Sequence, residues 1–339
     1  MLGFTRRAVA VAAAIGASVL AAGPAAAQQQ WPARPIEIAV WASAGGGTDF
    51  TNRLIARAME RHLGGTRINV QNRTGGGGAV AMNHVWTQPR EGYSWLGASE
   101  AMQNTAVMGF HPSVTRDWNW FMVAGSVAVL AVHPDSPHRT VQDFVAAAQR
   151  NPGRVRIGHC ALGCVWHLKS LSLADASESR FNLVPYEGSG PAITAAMSRE
   201  VDGVMAGLAE VTEHIRGGRL RPIGMIEMEP FEFPGVGTIP AAGTAYPRIA
   251  QMPARQWLGF ALPADTPAPV MQRVTTAFEQ AMQDPEVLRG LEGRMFTRFG
   301  QHGAEAQRIL QAMESAVSWK LQELGMARVN PEQLRIPRP

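Results

Sequence analysis

The first predicted structural unit begins with the apolar run PIEIAV at residues 35–40. This run is followed by the glycine loop AGGGTD at residues 44–49. β-Branched and apolar residues favour a buried strand, whereas consecutive glycines end it. Apolar residues then recur with helical spacing, at Leu54, Ile55, Met59 and Leu63. Gly64 and Gly65 follow as a C-terminal cap. The order strand, glycine loop, helix predicts an α/β fold.

The same order returns along the chain. A second glycine cluster, residues 75–78, leads into a helix from Ala79, and a third loop, His159 to Cys164, leads into a helix that contains His167. Further strands are predicted at residues 68–70, 95–98, 127–132, 156–158, 181–186, 201–205, 221–225 and 257–262. From Pro267 to about Leu324 the pattern is helical. We therefore predict mainly parallel sheets in two similar lobes, with a cleft between them.

Composition limits the class of protein. The 339 residues are 46% hydrophobic and 17% charged, which predicts a soluble globular protein of about two domains. Because 31 Lys and Arg residues stand against 27 Asp and Glu residues, nucleic acid is not an expected partner.

The N-terminal residues resemble an export signal. Arg6 and Arg7 precede an alanine-rich apolar run, and Ala25 and Ala27 fit a cleavage site of the A-x-A type. We predict that residues 1–27 are removed and that the mature protein begins at Gln28. An ordinary positively charged n-region is the favoured interpretation of the paired arginines, and the twin-arginine route is the alternative.

The glycine loop at residues 45–49 has two interpretations. Its glycines allow a ligand to approach the backbone, and the N–H groups of the following helix turn carry partial positive charge, which suits an anion. The same residues also fit a tight turn in which Thr48 or Asp49 caps the helix. The loop lacks the lysine of a P-loop and the spacing of a dinucleotide fingerprint.

The segment HCALGCVWH at residues 159–167 leaves several alternatives open. Cys160 and Cys164 could form a disulfide, could join His159 and His167 as metal ligands, could supply a nucleophilic thiolate, or could be two buried thiols. An even number of cysteines in an exported protein is compatible with one disulfide.

Taken together, several motifs resemble those of the periplasmic substrate-binding proteins of tripartite tricarboxylate transporters, the Bug receptors. The resemblance covers nearly the whole mature chain. It is carried by short matches such as Trp31-Pro32, the two glycine loops, Glu91-Gly92-Tyr93, Val165-Trp166-His167-Leu168, Val184-Pro185-Tyr186, Val201-Asp202 and Asp284-Pro285-Glu286-Val287. Ser99-Glu100, His111-Pro112, Asp117-Trp118 and Ala209-Glu210-Val211 are most similar to the tricarboxylate-receptor branch.

The resemblance implies a two-lobed Venus-flytrap fold of type II, with mixed sheets joined by crossing strands. It implies that residues 28–127 and 256–339 form lobe 1 and residues 128–255 form lobe 2. It also implies a cleft that closes on a small carboxylate, which neutral N–H and hydroxyl donors bind.

The resemblance further implies which residues bind the ligand. In lobe 1 they belong to the loop from Trp41 to Asp49, with Thr48 as a hydroxyl donor, and to the end of a neighbouring strand. In lobe 2 they belong to the loop from Cys160 to Cys164 and the turn from Tyr186 to Gly190, with Asp202 and Ala206 near the pocket floor. The full set is Trp41, Ser43, Gly45, Gly46, Gly47, Thr48, Asp49, Ser99, Cys160, Ala161, Cys164, Tyr186, Gly188, Asp202 and Ala206. Many members have small hydroxyl residues where Cys160 and Cys164 stand, and an acid or hydroxyl in place of Ala206.

The resulting hypothesis is an exported, monomeric, non-enzymatic receptor without cofactor or metal. It would pass a di- or tricarboxylate, or a related acid, to the membrane subunits of a tripartite transporter. The alternative is an exported enzyme or metal protein on the same frame, with His159, Cys160, Cys164 and His167 carrying the chemistry. Trp41 and Trp257 would suit an aromatic ligand, or else pack within the lobes.

Overall fold

The computed structural model describes residues 31–252 and 254–339, so the predicted export signal at residues 1–27 lies outside the described residues. The strands are β1 (Ile36–Val40), β2 (Ile68–Asn72), β3 (Ser94–Ser99), β4 (Trp118–Gly125), β5 (Ala128–Val132), β6 (Arg156–His159), β7 (Asn182–Pro185), β8 (Gly203–Gly207), β9 (Arg221–Met225), β10 (Phe231–Phe233), β11 (Gly237–Ile239), β12 (Leu258–Pro263) and β13 (Thr297–Arg298). The α-helices are α1 (Gly47–His62), α2 (Ala79–Trp86), α3 (Val141–Arg150), α4 (Val165–Ala176), α5 (Ser189–Met197), α6 (Leu208–Arg216), α7 (Ala268–Ala281), α8 (Pro285–Gly293) and α9 (Gly303–Glu323).

The six-stranded sheet of lobe 1 has the order β13-β4-β12-β3-β1-β2. β1 lies parallel to β2 and β3, whereas β12 lies antiparallel to both β3 and β4. Ile38 and Val40 pack with side chains of α1 and α7 on one face, and Ala39 packs with α2 on the other. Because β1 is covered on both faces, its sequence is a continuous apolar run.

The five-stranded sheet of lobe 2 has the order β7-β6-β8-β5-β9. β6 lies parallel to β7 and β8, and β5 lies antiparallel to β8 and β9. Val204 and Ala206 pack with α5 and α6 on one face, while Ile157 and Met205 pack with α3 and α4 on the other. Helices on both faces bury the sheet, which gives the lobe its own core.

The chain crosses between the lobes twice. It leaves lobe 1 at residues 126–127, between β4 and β5, and returns after the hairpin β10–β11 to place β12 between β3 and β4. β4, β13 and the hairpin are not among the strands predicted from the sequence. Within the described residues, no helix has both the length and the apolar character needed to cross a membrane.

Candidate ligand-binding cleft

Four helices begin where the two lobes meet. α1 follows β1 in lobe 1, while α4, α5 and α6 follow β6, β7 and β8 in lobe 2. The carboxyl ends of neighbouring parallel strands lie at one edge of a sheet, which is where such folds bind ligands. N–H groups of helix N-termini from both lobes are therefore directed into one cleft, which favours negative charge there.

The loop at residues 41–47 contacts lobe 2 through its backbone. The Ser43 N–H donates to the Glu187 carbonyl oxygen at 2.8 Å. A Cβ atom at Gly190 would lie 2.8 Å from the Ala44 carbonyl oxygen, and one at Gly46 would lie 3.6 Å from the Gly190 nitrogen. Glycines at these positions allow the two loops to touch, so the cleft is closed along this edge.

Two N–H groups of the glycine loop already have carboxylate partners from the chain itself. The Gly45 N–H donates to Asp49 Oδ2 at 3.1 Å, and the Gly47 N–H donates to Glu210 Oε1 at 3.0 Å. Asp49 also accepts bonds from Arg53 and Asn72, at 2.9 Å each. Asp49 is thus an internal partner of its own loop and helix.

Glu210 lies fully inside the interface between the lobes. Its Oε2 accepts from the Gly207 N–H at 2.8 Å, and its Oε1 lies 3.4 Å from Gln256 Nε2. Burial raises the pKa of Glu210, while hydrogen bonds from Gly207, Gly47, Ser189 and Trp166 oppose that rise. The carboxyl group therefore joins the first turn of α6 to the first turn of α1.

A second buried carboxyl group lies in the 3-10 helix Glu100–Asn104 that follows β3. The predicted site residue Ser99 caps this turn by accepting the Ala101 N–H at 3.3 Å. Glu100 Oε1 accepts the Val165 N–H of lobe 2 at 3.2 Å, while Glu100 Oε2 has no hydrogen-bond partner. Burial raises the pKa of Glu100 to about 8.

Cys160 and Cys164 are joined by a disulfide, with their Cα atoms 6.1 Å apart. The bridge encloses Ala161, and all three residues are buried. The loop contacts lobe 1 through Gly163, whose carbonyl oxygen accepts from Asn104 Nδ2 at 2.8 Å. Because both sulfur atoms are in the bridge, neither is a thiolate ligand or nucleophile in this state.

Two histidines lie beneath the disulfide loop. The rings of His159 and His167 are stacked with centroids 4.7 Å apart, and the Gly163 N–H donates to His167 Nδ1 at 3.1 Å. Burial lowers the pKa of His159 to about 4 and that of His167 to about 3, so both rings are neutral at neutral pH. Among the described residues, no group of three or more His, Cys, Asp or Glu side chains is arranged to bind a metal ion.

The turn after β7 brings one predicted residue to the cleft and turns another away. Gly188 has φ +117°, and a Cβ atom there would lie 3.1 Å from the Ala42 Cβ. The Tyr186 hydroxyl instead donates to Glu200 Oε1 at 2.7 Å, in the loop before β8. Burial raises the pKa of Tyr186 to about 12.

Of the two residues expected near the pocket floor, Asp202 lies at the far end of its strand and Ala206 faces the core. Asp202 precedes β8 and pairs with Arg156 at the start of β6 (3.1 Å), at the opposite end of the sheet from the cleft. β8 begins at Gly203, two residues later than predicted, so the cleft end of this strand is Gly207. The methyl group of Ala206 packs in the apolar core against α5 and α6.

The remaining predicted residues are buried next to the cleft. Trp41 packs in the lobe 1 core and its indole Nε1 has no hydrogen-bond partner, and Thr48 is buried in the first turn of α1. Trp257 donates its indole N–H to Gln103 at 2.8 Å and is likewise a core residue. A cavity of about 530 Å³ lies beside the crossing segments, with Ser126, Trp166 and Gln256 in its wall.

The sequence indicated no site role for Glu100 or Glu210. Both were matches to a branch of the family and no more. A usable signal was present at Glu210, because an acidic residue three positions after Gly207 is typical of a helix N-terminus. That signal predicts the local bond to Gly207, and it carries no information about Gly47 in the other lobe.

The two sheets, the paired crossings and the cleft at glycine-rich strand-to-helix loops define the two-lobed fold of periplasmic binding proteins, as predicted. Solved structures confirm this fold. A periplasmic transporter structure has a TM-score of 0.79 at 24% identity, covering 88% of this chain and 99% of that one. MatC from Rhodopseudomonas palustris with bound malate has a TM-score of 0.75 at 21% identity, covering 85% and 99%.

Within that class, the family model described as the tripartite tricarboxylate transporter family receptor matches residues 51–325, and the chain belongs to this family. Protein BugT of Bordetella pertussis is 29% identical over 284 residues, which cover 81% of this chain and 85% of BugT. R. palustris Rpa4515 with adipate has a TM-score of 0.76 at 20% identity, over 88% of this chain and 99% of that one. The resemblance inferred from the sequence motifs is confirmed.

Proposed function

We propose that this protein is an exported receptor that captures a small organic carboxylate between its lobes and delivers it to the membrane subunits of a tripartite transporter. The observation that carries the proposal is the convergence of helix N-termini from both lobes on one cleft, together with membership of this receptor family. The named neighbours with bound malate and adipate support a dicarboxylate or a related acid.

The proposed role is non-catalytic, and the proposed location is the periplasm. The disulfide between Cys160 and Cys164 suits an oxidising compartment. It also removes both thiolates on which the alternative of an exported cysteine and histidine enzyme depends. We propose that the receptor acts as a monomer, with lobe closure driven by the higher affinity of the closed state for the ligand.

The test is thermal unfolding of residues 28–339 against a panel of dicarboxylates, tricarboxylates, aromatic acids and amino acids. A ligand that binds only the folded protein raises the unfolding midpoint as its concentration rises. We expect a shift restricted to one class of acids. An unchanged midpoint with every acid would contradict the proposed function.

Two variants locate the binding site. Gly46→Leu places a bulky side chain against the Gly190 backbone, which keeps the loops apart, and we expect it to abolish the ligand-induced shift. Gly293→Leu is the matched control, because no atom lies within 4 Å of a Cβ at that position at the end of α8. Equal shifts in the two variants would place the ligand outside this cleft.

A further inference from the structure

The backbone N–H groups of residues 45–49 at the start of α1, which we call the anion cradle, bind a carboxylate that belongs to the protein. Glu210 Oε1 accepts the Gly47 N–H at 3.0 Å, across the cleft and 163 residues away in the chain. Glu210 Oε2 accepts the Gly207 N–H at 2.8 Å. One carboxyl group thus satisfies N–H groups at two helix N-termini, one from each lobe, which is the chemistry expected of a bound organic acid.

Capping of α6 explains only one of these two bonds. In α3, Asp143 occupies the equivalent third position and accepts from Arg139 and Thr140, which immediately precede its own helix. Glu210 makes the corresponding local bond to Gly207 through Oε2 and adds the bond to Gly47 through Oε1. Helix capping does not require that second bond, which holds the lobes together.

Two neighbours of the Glu210 carboxyl group also line a cavity. Trp166 and Gln256, which contact its carboxyl group, also line the cavity of about 530 Å³ beside the crossing segments. A volume of this size is within the range of small-molecule sites. The Glu210 carboxyl group therefore lies directly behind two side chains of a cavity wall.

We propose that Glu210 is a built-in carboxylate for this cradle: it bridges the lobes through the Gly47 N–H until the carboxylate of a solute takes its place there. The inference rests on the proposed function, and it makes Glu210 a residue that sets the affinity for solute. Burial raises the pKa of Glu210, so the charged form of this side chain is disfavoured at the site. A solute carboxylate with a lower pKa can occupy the site in charged form, which favours the release of Glu210.

The test uses acetate as the probe, with the variant Glu210→Ala and the control Glu213→Ala. Glu213 lies on the same helix, and its exposed side chain pairs with Arg216. We expect Glu210→Ala to unfold at least about 3 °C below the wild type, because it loses the bond between the lobes. We expect acetate to restore about 2 °C or more in that variant alone, with sodium chloride at equal ionic strength as the salt control.

An equal effect of acetate on the wild type, Glu210→Ala and Glu213→Ala would overturn the proposal, as would no effect on any of them. If Glu210→Ala does not fold, Glu210→Gln keeps the shape of the side chain and removes its charge. Small-angle scattering should then give Glu210→Gln a larger radius of gyration than the wild type, and an equal radius would overturn the proposal. An unchanged unfolding midpoint with every acid of the panel would count against the receptor function alone. The contrary results named for the Glu210 variants would count against the role of Glu210 alone.

Discussion

Glu100 is a carboxyl group that the fold keeps away from water. One of its oxygens accepts the Val165 N–H of lobe 2, and the other has no hydrogen-bond partner. Desolvation therefore outweighs hydrogen bonding and raises its pKa to about 8, with the nearby Glu210 adding to the effect. At neutral pH the protonated acid is the main form in the folded protein.

This raised pKa predicts a loss of stability as pH increases. Between the ordinary value of 4.5 and about 8, the folded protein holds a proton on Glu100 that the unfolded chain releases, so the free energy of unfolding falls as pH rises. The lowered pKa values of His159 and His167 make the free energy of unfolding rise with pH, but only below the ordinary histidine pKa of 6.5. From pH 6.5 to 8 the wild type should lose about 2 kcal/mol through Glu100.

Urea denaturation at several pH values measures this loss. Glu100→Gln retains an oxygen for the Val165 N–H and cannot ionise, so its stability should depend less on pH over that range. Glu91→Gln, which removes an acid from an exposed ion pair with Arg34, is the control and should follow the wild type. Parallel curves for Glu100→Gln and the wild type would show that Glu100 has an ordinary pKa.

The sequence predicted single residues well where their role is local. The glycine loop and the helix that follows it were found because turns and caps are determined by neighbours in the chain. The partner of Gly47 was missed because Glu210 comes from the other lobe, and only the tertiary fold brings the two together. The resemblance alone placed Asp202 near the pocket floor, whereas Asp202 precedes β8 at the amino end of the strand and pairs there with Arg156.

Among the secondary-structure elements, those with a regular apolar pattern were predicted with bounds close to the observed ones. The helix predicted from Thr140 is α3, which Thr140 caps by accepting the Asp143 N–H at 3.0 Å. β4 was missed even though it is a long strand of lobe 1. Its sequence, WNWFMVAG, is buried along most of its length and shows no alternation of polar and apolar residues.

The disulfide loop is an element whose stability can be measured separately. Cys160 and Cys164 close a loop of about five residues, which restricts the unfolded chain and stabilises the fold by about 2 kcal/mol. The double variant Cys160→Ala and Cys164→Ala should lose that amount in urea denaturation. A reducing agent should destabilise the wild type equally and leave the double variant unchanged, and a wild type insensitive to reduction would contradict the estimate.

At the level of the whole molecule, the two lobes approach closely enough that a single added methyl group would be crowded between them. An added Cβ at Gly188 would lie 3.1 Å from the Ala42 Cβ and 3.2 Å from the Ser43 nitrogen. We expect Gly188→Ala to keep the lobes apart and to increase the radius of gyration measured by small-angle scattering. Two-lobed binding proteins open and close about their crossing segments, so the lobes themselves should remain folded.

Gly237→Ala is the control for backbone strain. Gly237 also has a positive φ, +106°, and no atom lies within 4 Å of a Cβ there. Both variants should lose stability, but only Gly188→Ala should expand the molecule. The same expansion in both would mean that strain, and not contact between the lobes, causes it.

The position of β12 determines the order in which we expect the two lobes to fold. This strand lies in the middle of the lobe 1 sheet, between β3 and β4, yet it follows β4 by more than 130 residues in the chain. During synthesis, all five strands of the lobe 2 sheet emerge before the strand that lies between β3 and β4 in lobe 1. Contacts between distant parts of a chain form slowly. We therefore expect lobe 2 to fold first. Until β12 has been synthesised, the N-terminal third of the protein lacks a central strand of its sheet and has an exposed sheet edge.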